Sequence, residues 1–152
     1  MLRYDYFSDP AFKNAMEEYC IKENEQLIDL LAVTELSVQN PNSLADLAHF
    51  KNLQSLSITM GNLENLEEIK QLKYLKKLSL FDNKINDLSA IWEMDRLTSF
   101  SMDRCFDIAS VAELKNLVEL EIIYGDISDS DSLKRLTKLR TLILHACNIN
   151  NV

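Results

Sequence analysis

An apolar residue recurs along this chain every 20 or 22 residues, and a second apolar residue stands two positions after each one. A step of two places both side chains on one face of a β-strand and their neighbours on the other face. The sequence therefore predicts six short strands in one register. Their paired core positions are Leu36/Val38, Leu56/Ile58, Leu78/Leu80, Phe100/Met102, Leu120/Ile122 and Leu142/Leu144.

After each strand the apolar residues return every three positions, most clearly from Ile85 to Leu97. This step suits 3-10 turns, in which residues i and i+3 eclipse. A strand followed by such a return segment at this period indicates a leucine-rich repeat. One unit cannot bury its apolar side alone, so the units stack and share a core. A leucine-rich helical bundle is the alternative, and the register of the two-residue step disfavours it.

We therefore expect an α/β fold, a leucine-rich repeat solenoid. Its concave side is a curved parallel β-sheet, and its convex side consists of 3-10 and short helical segments. Residues 1–32 do not repeat and are expected to form an N-terminal helical cap. A helix begins there with Asp9 as N-cap and Pro10 at the first helical position, and a second helical piece is expected over Glu25–Ala32. Residues 33–152 form one continuous solenoid domain of five full repeats and a partial sixth.

Two segments resemble a known family. Residues 7–12 (Phe-Ser-Asp-Pro-Ala-Phe) and residues 28–36 are similar to the helical cap of internalin-type bacterial leucine-rich repeat proteins, and residues 78–88 are similar to their 22-residue repeat. The resemblance implies a bacterial protein whose concave sheet binds another protein. Because residues 1–20 lack a continuous apolar run, no signal peptide is expected, and we expect a cytoplasmic location.

The fifth position after the first core residue of each strand is usually Asn in this repeat family, where the buried amide bonds neighbouring backbone. Only Asn83 matches here, so we expect the ladder of hydrogen bonds between these side chains and the neighbouring backbone to be weak. Cys105 and Cys147 occupy the same position and are expected to be small buried hydrophobes. They lie two repeats apart, about 10 Å, which is too far for a disulfide.

The chain is acidic, with 24 acidic and 16 basic side chains and a net charge of −8. Phosphate binding needs a basic surface, so nucleic acid and anionic membranes are not expected as partners. An acidic surface instead favours association with a basic protein. The odd count of three cysteines fits reduced thiols in a cytoplasm.

No arrangement typical of an enzyme is present in the sequence. His49 and His145 are far apart in the repeat order, and neither has a Cys or carboxylate at metal-ligand spacing. Asp126, Asp129 and Asp131 lack the spacing of a calcium loop. We expect no catalytic activity, no metal and no cofactor.

The residues that flank the core positions of each strand face the concave side. They are small and polar in the amino-terminal half of the chain, and apolar or charged in the carboxyl-terminal half. Exposed apolar residues rimmed by acids are typical of protein-binding hot spots. The expected protein-binding residues are Phe81, Asp103, Arg104, Glu119, Glu121, Ile123, Tyr124, Ile143 and His145.

The sequence therefore favours a non-catalytic module that binds a protein through its concave face. An inhibitor or immunity-type protein for a basic partner is the narrower version of this hypothesis. The alternative is a structural or assembly subunit that self-associates through an open repeat end. In that case we expect a homodimer that buries Leu144, Ile149 and Val152.

Overall fold

Six parallel strands form one sheet in chain order, as the repeat predicts. The computed structural model describes residues 6–23 and 29–149. In these ranges no helix has the length and apolar character needed to cross a membrane. The strands are β1 (Glu35–Gln39), β2 (Ser55–Thr59), β3 (Lys77–Phe81), β4 (Ser99–Asp103), β5 (Glu119–Ile123) and β6 (Thr141–His145).

The register of the sheet follows the paired core positions. Leu36 lies beside Leu56, and this alignment continues strand by strand to Leu120 and Leu142. In β1 to β5 both core residues of each strand are buried, because the convex segments cover them. Strands that share one register put equivalent side chains into rows across the concave face.

The convex side consists of short helices that follow the strands. Four are 3-10 helices: η1 (Ala45–His49), η2 (Glu67–Gln71), η3 (Ser89–Glu93) and η4 (Ser130–Arg135). The apolar step of three predicts this geometry. The exception is one α-helical turn after β4, α2 (Ile108–Val111), which begins where the Asp107 side chain accepts a hydrogen bond from the Ser110 backbone N–H.

The cap helix α1 (Pro10–Glu23) begins at the predicted residue. The Asp9 Oδ1 atom accepts a hydrogen bond from the Ala11 N–H at 2.8 Å, so Asp9 is the N-cap. Phe12 and Met16 are fully buried in the core that the cap shares with the repeats. The apolar face of α1 therefore covers the first repeat.

The second helical piece, expected over Glu25–Ala32, is not seen where the structure describes it. Residues 25–28 lie outside the described residues, and residues 30–32 form a turn. The Asp29 carboxylate accepts a hydrogen bond from the Leu31 N–H, and the Asp29 carbonyl accepts one from the Ala32 N–H. Asp29 therefore stabilises a turn at the point where the apolar pattern predicts a helix.

Two buried carboxylates join the cap to the first repeat. The Asp9 Oδ2 atom accepts hydrogen bonds from the N–H groups of Asn42 and Ser43, at 2.8 and 2.9 Å. In return, Asp46 accepts from the Ser8 N–H at 3.1 Å and from the Asp9 N–H at 2.7 Å. Each carboxylate thus satisfies backbone donors of the other segment, which compensates for its burial.

The ladder position holds two hydrogen-bonding side chains. Asn83 accepts from the Gly61 N–H and donates to the carbonyls of Ile58 and Phe81. Cys147 has a similar pattern three repeats later: its sulfur accepts from the Gly125 N–H at 3.4 Å, and its single S–H can donate to the carbonyl of Ile122 or of His145. The description of Cys147 as a small hydrophobe is therefore wrong, because its thiol replaces the amide.

Candidate functional site

The concave face of β5 and β6 brings most of the predicted binding residues together. Ile123 lies beside His145 across the two strands, and Glu121 lies beside Ile143 in the next row. Tyr124 follows Ile123 and is 60% exposed. We call this group the β5–β6 patch; it consists of Glu119, Glu121, Ile123, Tyr124, Ile143 and His145.

The β5–β6 patch combines exposed apolar surface with uncompensated negative charge. Ile143 is 47% exposed, and Ile123 is half-buried beside it. Glu119 and Glu121 stand among Ser, Thr and Ile neighbours on β4 and β6. Neither carboxylate forms an ion pair with another residue in the described part of the chain. The patch can therefore offer both apolar contact and two carboxylates to a partner.

Asp103 does not rim this patch as an exposed charge, which corrects the sequence prediction. It is only 8% exposed, and its Oδ1 atom accepts a hydrogen bond from the Asp82 N–H at 2.8 Å. In four other repeats a carbonyl of the next strand accepts the equivalent bond. The carboxylate thus replaces a backbone acceptor where the pairing of β3 and β4 ends.

Phe81 and Arg104 belong to a second group. Phe81 ends β3 and is separated from Ile123 by the β4 residue Asp103. The Arg104 guanidinium forms ion pairs with Asp82 at 2.8 Å and with Asp103 at 3.2 Å. The structure therefore divides the predicted site into the β5–β6 patch and a neighbouring charged group at the end of β3 and β4.

A row of exposed residues with positive φ follows the strands. These residues are Asn40, Met60, Asp82, Arg104, Tyr124 and Ala146, with φ between 52° and 58°. Non-glycine residues seldom adopt this conformation. Here it turns the chain at the end of every strand, so each side chain projects from the carboxyl edge of the sheet. The sequence analysis did not identify Met60 as an exposed apolar residue of this row, although it has the same repeat position as Tyr124.

The three aspartates after β5 have local structural roles. Asp126 accepts from the Ser128 N–H, Asp129 accepts from the Ser132 hydroxyl, and Asp131 pairs with Lys134. Within residues 6–23 and 29–149, no three His, Cys, Asp or Glu side chains are grouped so that they can hold a metal ion. Ile149 is exposed and Leu144 is half-buried at the last strand, whereas Val152 lies outside the described residues.

Comparison with known proteins supports the fold. No family model matches the chain, and no curated protein matches it. The solved structure of the internalin InlF from Listeria monocytogenes matches 97% of this chain and 46% of its own, with a TM-score of 0.77 and 20% identity. Internalin C2 from the same organism matches over 96% of this chain and 88% of its own, with a TM-score of 0.55 and 18% identity.

These likenesses confirm the leucine-rich repeat solenoid and the resemblance that the cap and repeat segments show. The chain has an internalin-like leucine-rich repeat fold. It spans slightly less than half the length of the InlF chain that it matches.

Proposed function

We propose that this chain is a non-catalytic module that binds a protein partner on its concave face, at the β5–β6 patch. The observation that carries the proposal is the exposed Tyr124 and Ile143 beside two carboxylates without ion-pair partners. Solenoids present such extended concave surfaces to their partners. Exposed apolar side chains surrounded by polar groups are typical of the energetic centre of an interface.

The charge of the patch supports a basic partner. Glu119 and Glu121 lie on one strand, and the whole chain carries a net charge of −8. Acidic side chains without an ion-pair partner speed the encounter with a positively charged protein. An inhibitor or immunity-type role against a basic protein is the narrower form of this proposal.

We also propose a cytoplasmic location in a bacterial cell. The support is the state of the cysteines: none is paired, and Cys105 and Cys147 occupy structural positions inside the repeats. Thiols persist in reduced form in such a compartment. Fractionation of the native host, with an antibody against this chain, tests the location.

The test of the binding site begins with affinity capture from the native host and identification of the partner by mass spectrometry. The purified partner is then titrated against the Tyr124→Ala and Ile143→Glu variants. Each variant is expected to weaken binding about tenfold, as loss of an anchor residue does. Met60→Ala is the matched control, because Met60 has the same repeat position and the same positive φ as Tyr124.

A separate variant tests the group that contains Phe81 and Arg104. If Phe81→Ala also weakens binding, the interface extends across β4, and if it does not, the partner covers only the β5–β6 patch. The association rate is expected to fall as salt is raised, since the two glutamates attract the partner. Unchanged affinity in both Tyr124→Ala and Ile143→Glu contradicts the proposed site.

Self-association is the second candidate function, and a specific observation favours it. Leu142 in β6 and Ile149 after it are exposed, whereas the equivalent residues one repeat earlier, Leu120 and Ile127, are buried. An assembly subunit that covers this end with a second copy buries the same side chains.

A further inference from the structure

The convex side contains a groove of about 510 Å³ between η3 and η4, with α2 and the residues after it as its floor. Trp92, the one tryptophan of the sequence, stands on one wall and is 53% exposed. Met94 and Leu114 add apolar surface, and Arg135 stands on the opposite wall. The groove is separate from the concave face, because the buried core lies between them.

A short connection creates this groove. The segment that joins β4 to β5, residues 104–118, is two residues shorter than the segment before it, residues 82–98. It is also two residues shorter than the segment after it, residues 124–140. The two longer neighbours therefore project on each side of the shorter segment. The sequence already marks this feature, since the repeat that begins at Phe100 has 20 residues rather than 22.

The first repeat is shortened in the same way, and there the chain's own aromatic segment packs on the equivalent residues. Phe7 stacks on Phe50 with ring centroids 5.8 Å apart, and Tyr6 contacts His49 at 4.6 Å. Counted back from the first core residue of the next strand, Phe50 and His49 correspond to Leu114 and Glu113, both of which line the groove. The convex surface of a shortened repeat can thus bind an aromatic side chain from another segment.

The charge at the groove favours an acidic ligand. Glu113 and Arg135 form an ion pair with each other, so their charges cancel. Lys115 lines the groove and is exposed, and Lys138 bonds to Asn116, which also lines it. Neither lysine forms an ion pair with any residue that the structure describes, and one carboxylate, Asp95, stands against these two cations.

We infer that this groove, which we call the Trp92 groove, is a second interaction surface, distinct from the β5–β6 patch. It takes an extended protein segment that inserts an aromatic side chain beside Trp92 and places acidic residues against Lys115 and Lys138. Asp95 interrupts the cations, which suits a peptide with spaced carboxylates better than the continuous phosphates of a nucleic acid.

The first experiment uses Trp92 itself as the probe. A blocked, tryptophan-free pentapeptide with a central Phe and two acidic residues on each side is titrated into the full chain. Contact with the groove shields the indole from water, so its emission is expected to shift to shorter wavelength and to saturate. A peptide with Ala at the centre is expected to bind at least about tenfold more weakly, because it lacks the anchor.

The second experiment locates the binding with variants, read by the anisotropy of a labelled peptide. Lys115→Glu is expected to weaken binding about fivefold, as expected for an exposed ionic contact that becomes repulsive. Lys51→Glu is the matched control. Lys51 has the same position in the other shortened repeat, is exposed, and lies outside the groove. Trp92→Ala is expected to weaken binding about tenfold.

Three outcomes overturn the inference. One is an absence of saturable change at Trp92 with a millimolar peptide. Another is an equal loss of affinity in Lys51→Glu and Lys115→Glu, which indicates general charge attraction. The third is tighter binding of a single-stranded oligonucleotide than of the peptide, which assigns the groove to a nucleic acid. Retained binding of the concave-face partner by Trp92→Ala and Lys115→Glu shows that the two surfaces act separately.

Discussion

At the scale of single residues, the carboxamide of Asn83 and the thiol of Cys147 make equivalent contacts in different repeats. Each accepts a hydrogen bond from a glycine N–H of the preceding repeat; Asn83 donates to two carbonyls, whereas the single S–H of Cys147 can donate to one of two. Gly61 leaves room for this side chain, because a Cβ atom at position 61 would lie 2.6 Å from the Asn83 Oδ1 atom and would displace it. The turn of one repeat is thus shaped around the side chain of the next.

We predict that Asn83→Ala lowers the free energy of unfolding by about 3 kcal/mol, since it leaves the buried Gly61 N–H without its acceptor and removes two hydrogen bonds to carbonyls. Cys147→Ala is expected to lower it by about 1 kcal/mol, because a thiol forms weaker hydrogen bonds. Asn86→Ala is the control for the turn, since Asn86 is exposed. Urea unfolding measures all three, and equal losses in Asn83→Ala and Asn86→Ala contradict the ladder.

We expect the contribution of Cys105 to the free energy of unfolding to depend on pH. Burial raises the pKa of its thiol from 9.0 to about 11. A pKa that is higher in the folded state favours folding below the unfolded value, and this contribution is lost as pH rises through the folded value. The difference in unfolding free energy between the wild type and Cys105→Ala is therefore expected to fall by about 2 kcal/mol between about pH 9 and 11.

The control is the same difference measured below about pH 8, where both states keep the thiol protonated and the curve is expected to be flat. A difference that stays constant up to about pH 11 shows that Cys105 ionises as it does in the unfolded chain. Alkylation of the folded protein checks the same point, because a thiol with a raised pKa reacts slowly at neutral pH.

The sequence predicts which residues form the core of this protein better than it predicts which polar groups bond to each other. The L-x-L step predicts which residues are buried in β1 to β5, because both core positions of each of these strands face the convex segments. The bond from Asp82 to Asp103, and the pair of carboxylates Asp9 and Asp46, depend on which backbone donors remain unpaired after folding. These segments are far apart in sequence, so no local pattern indicates them.

At the scale of elements, the strands have the predicted residues and register, and the convex helices are mostly of the predicted 3-10 type. The two departures have local causes. Asp107 caps a turn that becomes α-helical, and Asp29 stabilises a turn where the apolar pattern predicts a helix. In both places a side chain bonds to the backbone, which competes with the periodicity of the apolar residues.

The central strand β3 provides a test of the repeat core. Leu80 is buried between neighbouring repeats, and Leu80→Ala is expected to cost about 2–5 kcal/mol of unfolding free energy through the cavity that it leaves. Ser79 is the matched control on the same strand, because it faces the concave side. Ser79→Ala is expected to change stability by less than about 0.5 kcal/mol. A Leu80→Ala loss below about 1 kcal/mol is incompatible with a core position.

At the scale of the whole molecule, the sheet has two different sides and two different ends. The concave side presents the β5–β6 patch, and the convex side presents the Trp92 groove. The cap covers the first repeat, where Phe12 and Met16 are buried. At β6 the corresponding core positions are partly exposed, because no further described strand packs on them. The sequence predicts this asymmetry, since the repeat pattern and the cap are both visible in it.

The β6 end of the sheet exposes an apolar residue that is buried in the preceding repeat. Ile149 is 53% exposed, whereas Ile127, at the same position one repeat earlier, is fully buried. In the part of the chain that the structure describes, no strand pairs with the outer edge of β6, and such an edge beside exposed apolar side chains favours association with another copy. We expect this chain to self-associate at micromolar concentration and to bury Leu144 and Ile149, with Val152 predicted in the same interface. Light scattering and sedimentation measure the mass as a function of concentration.

Two charged variants separate the end of the solenoid from its concave face. Ile149→Glu places a carboxylate in the expected interface and is predicted to give a monomer, because a buried unpaired charge is costly. Ile143→Glu introduces the same charge on the concave face of β6 and is predicted to leave self-association unchanged. A wild-type chain that stays monomeric at every concentration, or an Ile149→Glu variant that associates as the wild type does, contradicts end-to-end packing. Either result leaves the proposed binding of a protein partner at the concave face as the remaining candidate function.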